Sequence, residues 1–157
     1  MSKAKVLFVC LGNICRSPLA EAAFRKAAAQ AGLDVHADSA GTADYHVGNP
    51  PDMRSVREAQ RRGVDIANYR GRQLSADDFH EFDYILGMDA SNMADIHAVD
   101  PGDGRAKIAM LLDLVPGQTG REVADPYYGG EDGFAVTWDE VDAGAKALIA
   151  VLLDEHD

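Results

Sequence analysis

Hydrophobic residues along the chain fall into two rhythms. Short apolar runs that end at glycine or polar residues read as buried strands: Lys5 to Val9, Val35 to Ser39, Tyr84 to Met88 and Lys107 to Leu112. Between them the apolar positions recur every three or four residues, as on one face of a helix. Ala20, Ala23, Phe24, Ala27 and Ala31 follow Ser17 and Pro18, which suit a helix cap and a first turn, and they stop before Gly32. Asp52 is placed to cap a helix running to Arg62 and stopped by Gly63, and a short helix is expected from Ser91 to Val99. The last helix is the plainest: Phe134, Trp138, Val141, Ala145, Leu148 and Leu152 are spaced 4, 3, 4, 3 and 4 apart, one stripe that must pack on a core. Strands alternating with helices predict a three-layer α/β/α fold, with a four-stranded parallel sheet and helices on both faces. Ligands bind such sheets at the carboxyl ends of the strands.

Length and composition narrow the picture. A chain of 157 residues, 46% hydrophobic, suffices for one core, so residues 1–157 are expected to form a single domain. No apolar stretch reaches membrane-span length, and the polar Asn13 and Arg16 follow Val6 to Leu11 where a signal peptide would carry its cleavage site. Both cysteines, Cys10 and Cys15, lie near the N-terminus, so no long-range disulfide framework exists, and a reducing, cytoplasmic setting is expected. A formal charge of −11 argues against a nucleic-acid partner. Six arginines between Arg54 and Arg72, and six acids between Asp125 and Asp142, read as solvated helix faces. The five histidines, His36, His46, His80, His97 and His156, have no paired metal-ligand spacing and read as surface or structural, so neither metal nor cofactor is expected.

The chemistry sits at the end of the first strand. Cys10 and Arg16 are separated by Leu11, Gly12, Asn13, Ile14 and Cys15, with Ser17 and Pro18 beyond. A loop of that length between strand and helix can turn successive N–H groups onto an anion near the helix N-terminus. Gly12 allows close approach, and Asn13 tolerates a left-handed bend. The same cradle would favour a thiolate at Cys10, and Arg16 offers a planar fork for phosphate oxygens. A lone Cys-x5-Arg is more often a buried cysteine and a surface arginine; its place between strand and helix reverses that reading. An acid is also needed, because a phenol leaves poorly as an anion at neutral pH. Asp125, fixed by Pro126 and followed by Tyr127 and Tyr128 as walls for an aromatic ring, supplies one.

Taken in order, Cys10 to Pro18 with Ala20-Glu21, Asp38-Ser39-Ala40-Gly41-Thr42, Gly48-Asn49-Pro50-Pro51, Asp83-Tyr84-Ile85-Leu86-Gly87-Met88-Asp89 and Asp125-Pro126-Tyr127-Tyr128-Gly129 resemble the low-molecular-weight protein-tyrosine phosphatases over essentially the whole chain. The resemblance implies a phosphocysteine intermediate on Cys10, Arg16 on the transferring phosphoryl group, and Asp125 as acid and then base for water. It implies that Ser17 hydrogen-bonds the thiolate, that Ser39 holds Asn13, and that Asp89 joins this network. Gly12, Asn13, Ile14 and Cys15 would form the phosphate loop, and Leu11, Tyr45, Tyr127 and Tyr128 the substrate cleft. One departure is Tyr69, where many members carry a histidine that supports the loop serine.

The expected partner is a phosphotyrosine-bearing protein, with inorganic phosphate or vanadate as inhibitors and no nucleic acid or membrane. Three rival readings differ in class. Arsenate reductases of this fold relay electrons through late cysteines, and this chain has none after Cys15. Protein-arginine phosphatases tend to carry Thr where Ile14 stands and lack the double tyrosine. A non-catalytic phosphate-binding module would not need Cys10, Arg16 and Asp125 together. Two cysteines on one loop also suggest a redox switch, with Cys15 resolving an oxidised Cys10. Spacing equally allows Cys15 to be a small packed residue, and the resemblance favours the switch.

Overall fold

A computed structural model describes residues 3–155; His156 lies outside them. Four strands, β1 (Ala4–Cys10), β2 (Val35–Gly41), β3 (Tyr84–Gly87) and β4 (Lys107–Met110), form one parallel sheet in the order β2-β1-β3-β4. In register, Phe8 stands between Ser39 and Leu86, and Cys10 faces Gly41. The helices are α1 (Arg16–Gln30), α2 (Met53–Arg61), α3 (Asp78–Glu81), α4 (Ala90–Val99) and α5 (Asp132–Glu155).

Parallel strands are buried on both faces, and the alternation along β1 divides the core. Val6, Phe8 and Cys10 point into a layer with Leu19 and Phe24 of α1 and Phe134, Val141, Ala145 and Leu148 of α5, while α2 adds Ala59 at its edge. Leu7 and Val9 point the other way, onto Phe79 of α3 and Ile96 of α4. The sheet is therefore covered on both faces, as the alternation of strands and helices predicts. Among the described residues no helix is long and apolar enough to cross a membrane.

Several boundaries move. The fourth strand ends at Met110 rather than Leu112, because Leu111–Leu114 winds into a 3₁₀ turn. That turn places Leu111 against α5 at Gly144, where a Cβ would come within 2.4 Å of it. Asp52 caps α2 as expected, accepting from the Arg54 N–H. Ser17 does not cap α1. The helix begins one residue earlier, Cys15 holds the cap position without a side-chain bond, and Ser17 lies within the first turn. Because β2 and β3 flank β1 on opposite sides, the chain leaves β1 at a switch point of the sheet, and the Cys10 loop occupies it.

Candidate active site

The loop from Leu11 to Cys15 is held through its carbonyls. Thr42 N–H donates to Cys10 O, Ala43 N–H to Leu11 O and Asp52 N–H to Ile14 O, at 2.9–3.0 Å. Gly41 permits this packing: a Cβ there would lie 2.8 Å from the Leu11 carbonyl oxygen. The loop's donors are left over. Among the described residues, the N–H groups of Gly12, Asn13, Ile14, Cys15, Arg16 and Ser17 find no protein acceptor. Asn13 to Ser17 are all buried. Unpaired buried N–H groups are costly and rare, and six in a row at a helix start form an anion cradle.

Asn13 takes the left-handed bend, with φ 58°. Its side chain turns away from the cleft: Nδ2 donates to Ser17 Oγ (2.9 Å), and Oδ1 accepts from Arg72 N–H (3.0 Å). Ser17 Oγ lies 3.1 Å from Cys10 Sγ. Because the Ser17 oxygen already accepts a hydrogen bond from Asn13, its own O–H is free to donate to sulfur, which suits a thiolate. Arg16 is only 3% exposed; its Nη1 donates to Asp89 Oδ2 (2.7 Å) and Val123 O (3.0 Å), while Nη2 lies 3.7 Å from Asp125 Oδ2. Burial opposes its charge, but Cys10, Asp89 and Asp125 around it outweigh that and raise its proton affinity. Asp89 also caps α4 through Asn92 N–H, which fixes the carboxylate that aims the guanidinium.

These groups open onto a cleft of ≈ 260 Å³. Cys10, Gly12, Ile14, Cys15 and Arg16 form its floor, and Leu11, Tyr45, Tyr127, Tyr128 and Asp125 its walls. The Tyr127 and Tyr128 rings meet edge to face at 5.0 Å. Residues 5–157 match the family model of the low molecular weight phosphotyrosine protein phosphatases. The chain belongs to that family. A phosphatase of this name from Schizosaccharomyces pombe is 47% identical over 133 residues, 83% of this chain and 85% of its own. The crystal structure of a protein tyrosine phosphatase from Entamoeba histolytica superposes with a TM-score of 0.91 at 38% identity, covering 99% of this chain and 100% of that one. A Drosophila arginine phosphatase superposes with a TM-score of 0.87 at 33% identity, covering 94% and 97%.

Within this phosphatase fold the supporting shell departs from expectation. Ser39 makes no hydrogen bond to Asn13: its hydroxyl donates to Glu21 Oε1 (2.9 Å), a carboxylate whose other oxygen lies 2.7 Å from Arg25. Arg72, which the sequence places in a basic run with no role at the site, takes the role assigned to Ser39. Its N–H holds Asn13, and its guanidinium is locked by Asp38 and Asp78 at 3.0–3.1 Å. Tyr69 packs on the core with Arg25 over its ring and makes no bond to Ser17, whose partners are Cys10 and Asn13. Burial first, and then Glu21, push the Tyr69 phenol up to about 12, so it stays neutral. His46, read as surface or structural, lines the cleft, its ring 3.1 Å from where a Cβ on Gly12 would sit. Neither histidine spacing nor charge pattern marks it; only the loop packing brings it there.

Proposed function

We propose that the chain hydrolyses phosphotyrosine in proteins, and small aryl phosphates, through a phosphocysteine on Cys10. The observation that carries this reading is a single cleft in which a cysteine sulfur facing a serine hydroxyl, six unpaired N–H groups, a buried arginine and a carboxylate look toward one another. In the first step Cys10 Sγ attacks phosphorus as the P–O bond to the phenol breaks, and Asp125 gives the leaving oxygen its proton. The loop N–H groups and Arg16 hold the three equatorial oxygens throughout. In the second step water attacks phosphorus, Asp125 takes its proton, the S–P bond breaks, and phosphate leaves with the thiolate restored.

The aromatic walls Tyr45, Tyr127 and Tyr128, with Leu11, suit a phenyl ring deeper than a serine or threonine side chain would reach. Inorganic phosphate and vanadate should inhibit by occupying the cradle. A free-thiol nucleophile suits a reducing cytoplasm, and Cys15, which lines the same cleft, would make the site redox-sensitive. Arginine-phosphate hydrolysis is the reading to set beside this one, given the structural likeness to the Drosophila enzyme; Ile14 in the floor and the tyrosine pair favour phosphotyrosine. Steady-state assays on phosphotyrosine, phosphoarginine and arsenate side by side, with and without EDTA, test it. Phosphotyrosine should be preferred and chelation should change nothing, since cradle and Arg16 supply the charge a metal would bring. Preference for phosphoarginine, or activity lost to EDTA and restored by a divalent ion, would contradict the proposal.

A further inference from the structure

The segment that carries Asp125 has little structure of its own. Its local bonds are Tyr127 N–H to Asp125 Oδ1 (3.0 Å) and Gly129 N–H to Pro126 O (3.1 Å), which make a turn and leave open where that turn sits. Arg54, in the first turn of α2, provides an outside anchor. Nη1 donates to Gly129 O and Nη2 to Tyr127 O, both at 3.0 Å. Nε and Nη2 also grip the two oxygens of Asp52 at 3.0 Å each, and these hydrogen bonds hold the Asp52 carboxyl below its usual range. The guanidinium lies over the rings of Phe134 (4.6 Å) and Tyr127 (5.6 Å), so stacking sets its plane as well.

Both ends of this strut reach the site. Asp52 N–H donates to the Ile14 carbonyl in the phosphate loop (2.9 Å). At the other end a single residue links Arg54 to the acid: the Tyr127 carbonyl accepts from Arg54 while the Tyr127 N–H holds the Asp125 carboxylate. We propose that Arg54, braced by Asp52, is a positioning residue that sets the Asp125 turn at a fixed distance from the phosphate loop, so that the acid meets the leaving oxygen of a phosphoryl group bound there. A lysine carries three donors on one nitrogen and no planar fork, so it cannot reproduce the four bonds that Arg54 makes from three nitrogens.

This inference rests on the reading of Asp125 as the acid, and its test separates the two. kcat/KM is measured for aryl phosphates whose phenols range from acidic to tyrosine-like, in wild type, Arg54→Ala, Arg54→Lys, Asp125→Ala and the double variant Arg54→Ala with Asp125→Ala. Arg54→Ala should lose on the order of 10²-fold for the tyrosine-like phenol, the scale of an ångström-sized misplacement, and only a few-fold for the most acidic one. Arg54→Lys should fall between, and it carries the same comparison if Arg54→Ala does not fold. In the Asp125→Ala background, removing Arg54 should add almost nothing, and inhibition by inorganic phosphate should stay within a few-fold of wild type in Arg54→Ala. Equal losses across the phenols in the Arg54 variants, or a full extra loss in the double variant, would overturn the proposal while leaving Asp125 as the acid. A flat leaving-group dependence in Asp125→Ala would overturn both.

Discussion

Two side chains below the cleft, Asn13 and Ser17, decide what Cys10 can do. Asn13 spends its amide on both sides of the loop bend, receiving from Arg72 and donating to Ser17, and the Ser17 proton is left for sulfur. Ser17→Ala should therefore lower kcat/KM for phosphotyrosine by about 10-fold or more, the effect of a hydrogen bond to a charged group at roughly 1.5–3 kcal/mol, and it should also lower the melting temperature, since it leaves the buried Asn13 amide without its acceptor. A variant as active as wild type would show that the cradle alone sustains the thiolate. Cys15 has a different character. Burial first, then the nearby Asp52 and Cys10, push its thiol up to about 12, so it is not the group that meets an oxidant. Peroxide should convert the Cys10 thiolate to a sulfenic acid, and the Cys15 thiol then displaces water from it to form a disulfide. After peroxide, a dithiol should restore wild type more fully than Cys15→Ser; equal recovery would make Cys15 a packing residue only.

At the scale of elements, α1 is covered nearly all round over its first nine residues, and a carboxylate, Glu21, is buried with it at 4% exposure. Burial pushes the Glu21 carboxyl up to about 7 against the opposing pull of Arg25 and Ser39. The folded state thus holds a proton that the unfolded chain releases near the ordinary carboxyl value. Stability from this group is full at low pH and is lost as pH rises toward and through 7. Glu21→Gln keeps the shape and the hydrogen bond to Ser39, so its melting temperature relative to wild type should climb between pH 5 and 8. Parallel melting profiles would place that proton elsewhere. The four strands and helices α1, α2, α4 and α5 were legible from spacing, because a parallel sheet needs short apolar runs and α5 needs its stripe, whereas the four-residue α3 is too short to show a period. The start of α1 was misread for a physical reason. Serine before proline signals a cap, but here a side-chain cap would consume the N–H groups that the anion requires, and Ser17 serves sulfur instead.

Across the whole molecule, the two charged runs meet. Arg57 and Arg61 pair with Glu131, and Arg62 with Asp139, so the basic band faces the acidic residues at the start of α5 rather than solvent alone. Charge runs show their sign in sequence but not their partners, which is why Arg54 and Arg72 were unrecognisable as parts of the site. Cys10, Arg16 and Asp125 were legible as candidates because the Cys-x5-Arg run lies between a strand and a helix and the Asp125-Pro126 turn with its two tyrosines accompanies it in the same chain. The members that the fold alone assembles, His46 and Arg72, carry no such mark. What unites them is the switch point of the sheet, where β1 delivers Cys10, β3 leads to Asp89, and the turn before α5 brings Asp125 across. The claim that follows from this convergence is a covalent intermediate on one sulfur. Asp125→Ala should slow the attack of water more than it disturbs the cradle, so acid-quenching that variant during turnover of an aryl phosphate with an acidic phenol should trap a phosphoryl group, and peptide mass spectrometry should place it on Cys10. Steady turnover by Cys10→Ser, or a quenched enzyme bearing no phosphate at Cys10 while product accumulates, would contradict the account.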